Sequence, residues 1–260
     1  ASNFLALVAR RQYRAISFIN LTPFLGSLRK LKYRGTLIFE LRGLSQRGLQ
    51  VCAGLSPKEF KTIVVPSQYV AELVQTARSA NSIPVKTLYN AVDTSLFRPL
   101  PTLPREDVPP YPVLLWVGRL DWNKNFIEML RIGRILAQQG QSFGLWVASD
   151  VNVSKHARRF HQAVQAAGLQ EHVRLFPNVP RQAMPRLYNI AAKSGGLVLS
   201  TSRSEGLQNS LLEGMACGCP AVSSAVGGNT EIIADGVTGA LYPLGDPAAA
   251  AAKIEAIIGN

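Results

Sequence analysis

The sequence has little to lock it covalently and nothing long enough to hold it in a bilayer. It contains three cysteines in 260 residues, an odd number and too few for a disulfide framework. Cys217 and Cys219 stand two apart near a predicted helix end. No further ligand types cluster around them, so they read as reduced structural residues rather than a metal pair. No apolar run approaches the ~18–20 uncharged residues that span a membrane. Asn3–Ala9 is apolar but short, and Arg10-Arg11 follow it, the reverse of a secretory leader. Histidine occurs three times, as His156, His161 and His172, all expected on helix surfaces. Internal repeats and low-complexity tracts are also missing. These absences favour a reduced, cytoplasmic, globular chain, long enough for one large domain or two modest ones.

Acidic residues are scarce in one half. Residues 1–100 carry fourteen Lys/Arg against four Asp/Glu, a net of +10, whereas residues 101–260 carry fourteen against twelve, a net of +2. A basic half suits an anionic partner, such as a membrane surface met peripherally or a phosphorylated acceptor. Nucleic acid is not expected: no binding motif occurs, and aromatic residues do not interleave with the basic ones.

What is present reads as α/β. In the first hundred residues, Thr22-Pro23 predicts a helix start, with the helix running to Tyr33 and stopped by Gly35. Strands are predicted at Thr36–Leu41, Lys61–Val65 and Val85–Leu88, with a helix capped by Ser67 from Gln68 to Arg78. Residues 101–112 form a proline-rich linker between an N-terminal domain, 1–100, and a C-terminal domain, 113–260. Beyond it, strands Val113–Val117, Phe143–Ala148 and Val173–Phe176 alternate with helices Asn125–Gln139, Ser154–Ala167 and Arg181–Ala191. Such alternation means a parallel sheet with crossover helices. Gly118-Arg119 end the first of these strands and Lys124 follows in the next loop, where open α/β sheets place their ligands. Both cations are therefore expected to meet phosphate.

The most informative stretch is Ser200–Tyr242. After a short buried strand, Glu205 lies on a loop, Gly206 permits close backbone approach, and a helix starts near Gln208-Asn209 with Glu213 one turn in. The free N–H groups at a helix start favour phosphate. Carboxylates accept from two hydroxyls at once. One glutamate can hold a hexose and the other a ribose, with a diphosphate between them.

The segments KTLYNAVDTSLFRP, VGRLDWNKNF, SEGLQNSLLEGMACGCPAV and GGNTEII stand in an order and spacing that resembles the retaining glycosyltransferases of family 4, within the glycosyl transferases of group 1. LIFELRG resembles a subset of that family. The resemblance implies a GT-B architecture, two Rossmann-like domains with parallel sheets, here with the N-terminal, acceptor-side domain incomplete and the chain truncated at both ends. It implies a nucleotide-diphosphate sugar as donor co-substrate and transfer of a hexosyl group with retention to a saccharide or lipid-linked acceptor. No metal and no cofactor are implied, the cations taking the metal's part. By resemblance, Gly118, Arg119 and Lys124 meet the diphosphate, and Glu205 meets the transferred sugar with backbone help at Gly206 and Leu207. Glu213 meets the ribose, and the loop Pro177–Arg181, through Asn178 and Val179, meets the base. Arg119, Lys124 and Glu205 would be catalytic. Many relatives use an N-domain histidine that this chain lacks; Glu40 and Arg42 are the acceptor-side candidates nearest that place. Two alternatives stay open: a nucleotide-sugar-binding module without turnover, and a basic scaffold for anionic lipid or nucleic acid.

Overall fold

The computed structural model describes residues 2–77, 83–150 and 154–259. Two compact units divide between Asn90 and Ala91. Both are α/β with parallel sheets.

The first unit alternates α1 (Ser2–Arg11), β1 (Ala15–Ile19), α2 (Leu25–Lys30), β2 (Thr36–Glu40), α3 (Gln46–Ala53), β3 (Phe60–Val65), α4 (Gln68–Ala77) and β4 (Val85–Thr87). Its sheet runs β1-β2-β3-β4, every pairing parallel. Phe39, Phe60, Ile63 and Val74 are fully or almost fully buried at its centre. Ser67 caps α4 as predicted, accepting from Val70 N at 3.2 Å. Arg78, the predicted end of that helix, lies outside the described residues. The helix predicted over 22–33 is shorter: Thr22 and Pro23 lie in the approach to α2, and Lys32 turns left-handed at φ 50°, which ends the helix early. α1, β1 and α3 had no counterpart in the sequence reading.

The second unit contains β5 (Val113–Val117), α5 (Phe126–Gln138), β6 (Gly144–Ser149), α6 (Ser154–Ala167), β7 (Val173–Pro177), α7 (Met184–Lys193), β8 (Leu197–Ser200), α8 (Asn209–Ala216), β9 (Ala221–Ser224), α9 (Asn229–Ile232), β10 (Gly239–Tyr242) and α10 (Pro247–Ile258). The six strands, all parallel, run β10-β9-β8-β5-β6-β7. Counted from β5, this is the 3-2-1-4-5-6 order of a dinucleotide-binding sheet, which reverses direction between β5 and β8. β5 is buried on both faces: Leu114 and Trp116 pack toward α5 and α10, while Val113 and Leu115 pack toward α7 and α8. A strand covered on both sides is an unbroken apolar run, and VLLWV is one.

The proline-rich segment does not hang free between the units. Phe97 is fully buried in the second unit's core. Asn189 of α7 accepts from Leu100 N at 2.6 Å and donates to Arg98 O at 3.0 Å. Asp107 pairs with Arg186 of the same helix. Prolines cannot donate, but the residues between them can, and here they do. Of the histidines, His161 is exposed on α6, and the side chain of His156 lies outside the described residues. His172 is not on a helix: it precedes β7, stacks on Phe143 with ring centroids 4.4 Å apart, and its Nδ1 lies 3.1 Å from Phe143 O.

Candidate functional site

The carboxyl ends of β5 and β8 face the point where strand order reverses, and the loops that follow them are laced together. Gly118 closes β5 by donating to Ala148 O at 3.1 Å. A Cβ there would stand 3.1 Å from Lys124 Cγ and 3.3 Å from the Trp116 ring. Glycine thus lets the lysine stem lie across the strand end. The turn that returns Lys124 to this position is built on Asp121, which accepts from Lys124 N and from Arg119 Nε, each at 2.8 Å. Burial alone would raise the Asp121 pKa; those two hydrogen bonds and the charges of Arg119 and Lys124 outweigh it and hold the carboxyl below its ordinary value. Asn125 completes the turn in the left-handed region at φ 56°, a conformation asparagine tolerates better than most residues.

Several bonds stitch this turn to the loop after β8. Thr201 Oγ1 accepts from Trp116 Nε1 at 3.0 Å and lies 2.9 Å from Lys124 O. Arg203 N donates to Asn123 O at 2.7 Å, and Asn123 Nδ2 donates to Ser204 O at 3.0 Å. The side chains then meet directly: Lys124 Nζ donates to Glu205 Oε1 at 2.6 Å. Behind Glu205, Gly228 N donates to Glu205 O at 3.1 Å, and a Cβ on Gly228 would collide with Gly206 O. The glycine pair Gly227-Gly228 is therefore a backing plate for the Glu205-Gly206-Leu207 loop. Gly206 and Leu207 are buried in that contact.

Glu213 sits one turn into α8, half-buried. Gly214 beside it lets α8 approach β8 closely, since a Cβ would meet Val198 at 2.9 Å. Tyr188 donates its hydroxyl to Glu213 Oε2 at 3.2 Å. Burial raises the Glu213 pKa, and the Tyr188 bond and the attraction of Arg181 only partly offset it. Cys217 and Cys219 are buried thiols, pushed up to about 11 and about 12 chiefly by burial. Thiols so far from ionisation are inert structural residues.

A cavity of about 510 Å³ opens at the ends of β5, β6 and β7. It gathers Gly118, Arg119, Lys124, Asn178 and Val179 of the sequence-predicted set, together with Ser149 and Arg181. Asn178 turns left-handed at φ 51° and donates its N–H to Ser149 O at 2.9 Å, which swings the chain after β7 around the cavity rim. Arg181 lies over the Phe97 ring, 5.0 Å from its centroid. Glu205 and Glu213 do not line this cavity; Glu205 joins it through Lys124, and Glu213 through the charge of Arg181. Asp121, Tyr188 and Arg181 were not singled out individually from the sequence. Asp121 stands in the Arg-Leu-Asp run of the turn, a local signal that a capping aspartate leaves; Tyr188 left none.

Glu40 and Arg42 occupy the carboxyl end of the first unit's sheet. Arg42 Nε donates to Glu40 Oε2 at 2.9 Å, Ser17 Oγ donates to Glu40 Oε1 at 2.6 Å, and Arg42 Nη1 donates to Leu88 O at 3.0 Å. The Ser17 bond lowers the Glu40 pKa, burial opposes it, and Arg42 adds to the lowering. The pair ties the end of β2 to the middle of β1 and to the residue that follows β4. Among the described residues no cluster of three or more His, Cys, Asp or Glu could hold a metal ion, and no helix is long and apolar enough to cross a membrane.

Comparison with known proteins extends this geometry. The family model described as Glycosyl transferases group 1 matches residues 105–260. The D-inositol 3-phosphate glycosyltransferase of Mycobacterium sp. (strain KMS) is 29% identical over 198 residues, 70% of this chain but only 41% of the relative's length. Among solved structures, sucrose-phosphate synthase from Thermosynechococcus elongatus superposes with a TM-score of 0.85 at 20% identity, covering 100% of this chain and 68% of that one. Anabaena Alr3699/HepE, solved in complex with UDP and glucose, superposes with a TM-score of 0.80 at 22% identity, covering 99% of this chain and 72% of the other. At these identities the structural likeness speaks for a shared GT-B fold.

Proposed function

The chain belongs to the glycosyl transferases group 1 family, and from that premise we propose that it carries the donor site of a hexosyltransferase that takes its sugar from a nucleotide diphosphate. The observation that carries the reading is the Lys124–Glu205 bond at 2.6 Å, because it sets a phosphate-seeking cation and a hydroxyl-seeking carboxylate side by side at the strand-order reversal. Lysine has three N–H donors and spends one on Glu205, so two remain for a diphosphate.

In this reading the diphosphate lies in the cavity against Arg119 and Lys124, Glu205 accepts from hydroxyls of the sugar, and Glu213 accepts from the ribose. The loop bearing Asn178 and Val179 borders the base. The bond between the anomeric carbon and the diphosphate oxygen breaks, and negative charge builds on the departing diphosphate. Fixed cations stabilise that charge without further reorganisation. The acceptor hydroxyl attacks the face the diphosphate leaves, its proton passing to the departing oxygen, so the configuration is retained. Arg119 and Lys124 supply the positive charge that a metal would otherwise bring, and the reaction is expected to run in the presence of a chelator. The acceptor is a saccharide or a lipid-linked saccharide. The excess of cations in residues 1–100 supports peripheral contact with an anionic membrane surface.

The test is a thermal-shift panel of UDP, GDP and ADP with their hexose conjugates. A ligand that binds only the folded state raises its melting temperature by mass action. One nucleotide is expected to stabilise the chain, with the shift lost in Glu213→Ala and Lys124→Ala. A millimolar panel in which none shifts the transition would sink the reading. Product stereochemistry, read by NMR at the new anomeric centre, tests retention separately.

A further inference from the structure

A second cavity, of about 310 Å³, lies outside the donor cavity on the other side of the Arg119–Asn125 turn. It is lined by Trp122, Asn125, Arg131 of α5, Arg159 of α6 and Arg203 of the loop after β8. We propose that this cavity is a binding site for a phosphate dianion, free or as a small phosphate monoester.

Three arginines converge on one concave surface with almost none of their hydrogen-bonding capacity spent. Arg131 and Arg159 are exposed and form no ion pair among the described residues. Arg203 has five N–H donors. One of them donates to Asn125 Oδ1 at 3.1 Å, while Nε is buried with no partner at all. The Arg203 guanidinium lies over the Trp122 ring, 4.9 Å from its centroid, and its bond to Asn125 adds a second tether, so its freedom is restricted before any ligand arrives. An arginine fork matches the oxygens of a phosphate, and three cations lining a cavity against a single carboxylate, Asp121, favour an anion.

The start of α5 adds to this. The helix is 13 residues long, and its N-cap, Asn125, makes no side-chain capping bond. The Asn125 amide is spent elsewhere, donating to Glu128 Oε2 at 2.8 Å and accepting from Arg203. The helix dipole adds positive potential at the cavity wall, offset in part by the first-turn carboxylate Glu128, which Asn125, Tyr242 and Gly245 hold. Asp121 is the one acidic residue in the lining, and both its oxygens are engaged, by Arg119 Nε and Lys124 N.

Trp122 supplies the readout. It is 76% exposed, whereas Trp116 and Trp146 are buried. Inorganic phosphate and glycerol 3-phosphate are titrated into the full chain at constant ionic strength, following tryptophan fluorescence. The expected result is a saturable change that disappears in Trp122→Phe. Its midpoint moves about tenfold higher in Arg131→Gln or Arg159→Gln, each of which removes one charge-assisted contact from an exposed helix face. Tighter binding of glycerol 3-phosphate would assign the site to a phosphate monoester, and equal binding to free phosphate. A response that does not saturate, or that Arg119→Gln abolishes while Arg131→Gln and Arg159→Gln leave it intact, would overturn the proposal.

Discussion

Lys124 and Glu205 stand 81 residues apart in sequence and 2.6 Å apart in space, with 16% and 14% of their side chains exposed. The pair joins the loop after β5 to the loop after β8, so each charge depends on the other for its place. Truncating either one strips its largely buried partner of its counter-charge. Glu205→Ala is expected to cost about 1–3 kcal/mol of unfolding free energy, the penalty of an unpaired, largely buried charge. Glu205→Gln keeps a hydrogen-bond acceptor and should cost less. A double-mutant cycle with Lys124→Met, read by urea unfolding, should show the two losses to be strongly non-additive. Additive losses would mean that the bond does no structural work.

Glu213 predicts a pH dependence of the opposite sense to an ordinary ion-paired carboxylate. Burial raises its pKa in the folded chain, with Tyr188 and Arg181 offsetting only part of the rise. The folded state therefore binds a proton more tightly than the unfolded state does. Its contribution to stability is fully present below the unfolded value of ~4.3 and is lost as pH rises through the folded one. Glu213→Gln should flatten this part of the stability profile. Nucleotide affinity should move the other way: a ribose hydroxyl needs the carboxylate as acceptor, so affinity rises as Glu213 ionises. Calorimetric titrations across that window check this, and a pH-independent affinity would remove Glu213 from the nucleotide's contacts.

How much of this was legible depends on how local the cause is. β5 was read residue for residue because burial on both faces leaves an unbroken VLLWV run. Ser154–Ala167 was read because helical periodicity is written into it. β1 escaped because it is an edge strand in which only Phe18 is buried, so its alternation is faint. Gly118, Arg119, Lys124, Asn178 and Val179 could be chosen from strand ends and resemblance, and they do converge on one cavity. That Lys124 would take Glu205 as its partner, or that Gly228 would press against Gly206, has no local signature. Both contacts arise only when strand order brings distant loops together.

Two glycines at the site should respond differently to a methyl group. At Gly118 the added Cβ meets the flexible stem of Lys124 at 3.1 Å. The edge of the buried Trp116 ring, 3.3 Å away, adds a milder obstacle, so Gly118→Ala should cost less stability than Gly228→Ala while displacing the lysine, and nucleotide affinity should fall more than the melting temperature does. At Gly228 the obstacle is the carbonyl of Gly206, which is backbone and cannot swing away. Gly228→Ala should cost about 1–3 kcal/mol through overpacking and shift the Glu205 loop with it. Parallel thermal melts and nucleotide titrations of the two variants separate these cases; similar stability losses in both would contradict the stated geometry.

The segment between Ala91 and Pro112 offers a test remote from the site. Asn189, 2% exposed, accepts from Leu100 N and donates to Arg98 O and to Pro185 O at 2.8 Å, clamping the proline-rich run onto α7. Asn189→Ala leaves the Leu100 amide without its acceptor and is expected to cost about 2–3 kcal/mol. The loss should be local as well as global. Phe97 still anchors the segment in the core, but the stretch from Arg98 to Asp107 would be left with the Arg98 backbone bond to Cys217, the packing of Leu103 and the Asp107–Arg186 pair, whose arginine is 53% exposed and therefore weakly effective. Limited proteolysis should then cut Asn189→Ala within that stretch well before the parent chain. Asn189→Asp, which retains an acceptor for Leu100 N but loses both donated bonds, should fall between the two. Equal cleavage rates in all three proteins would show that the buried Phe97 ring, rather than the asparagine clamp, holds the segment down.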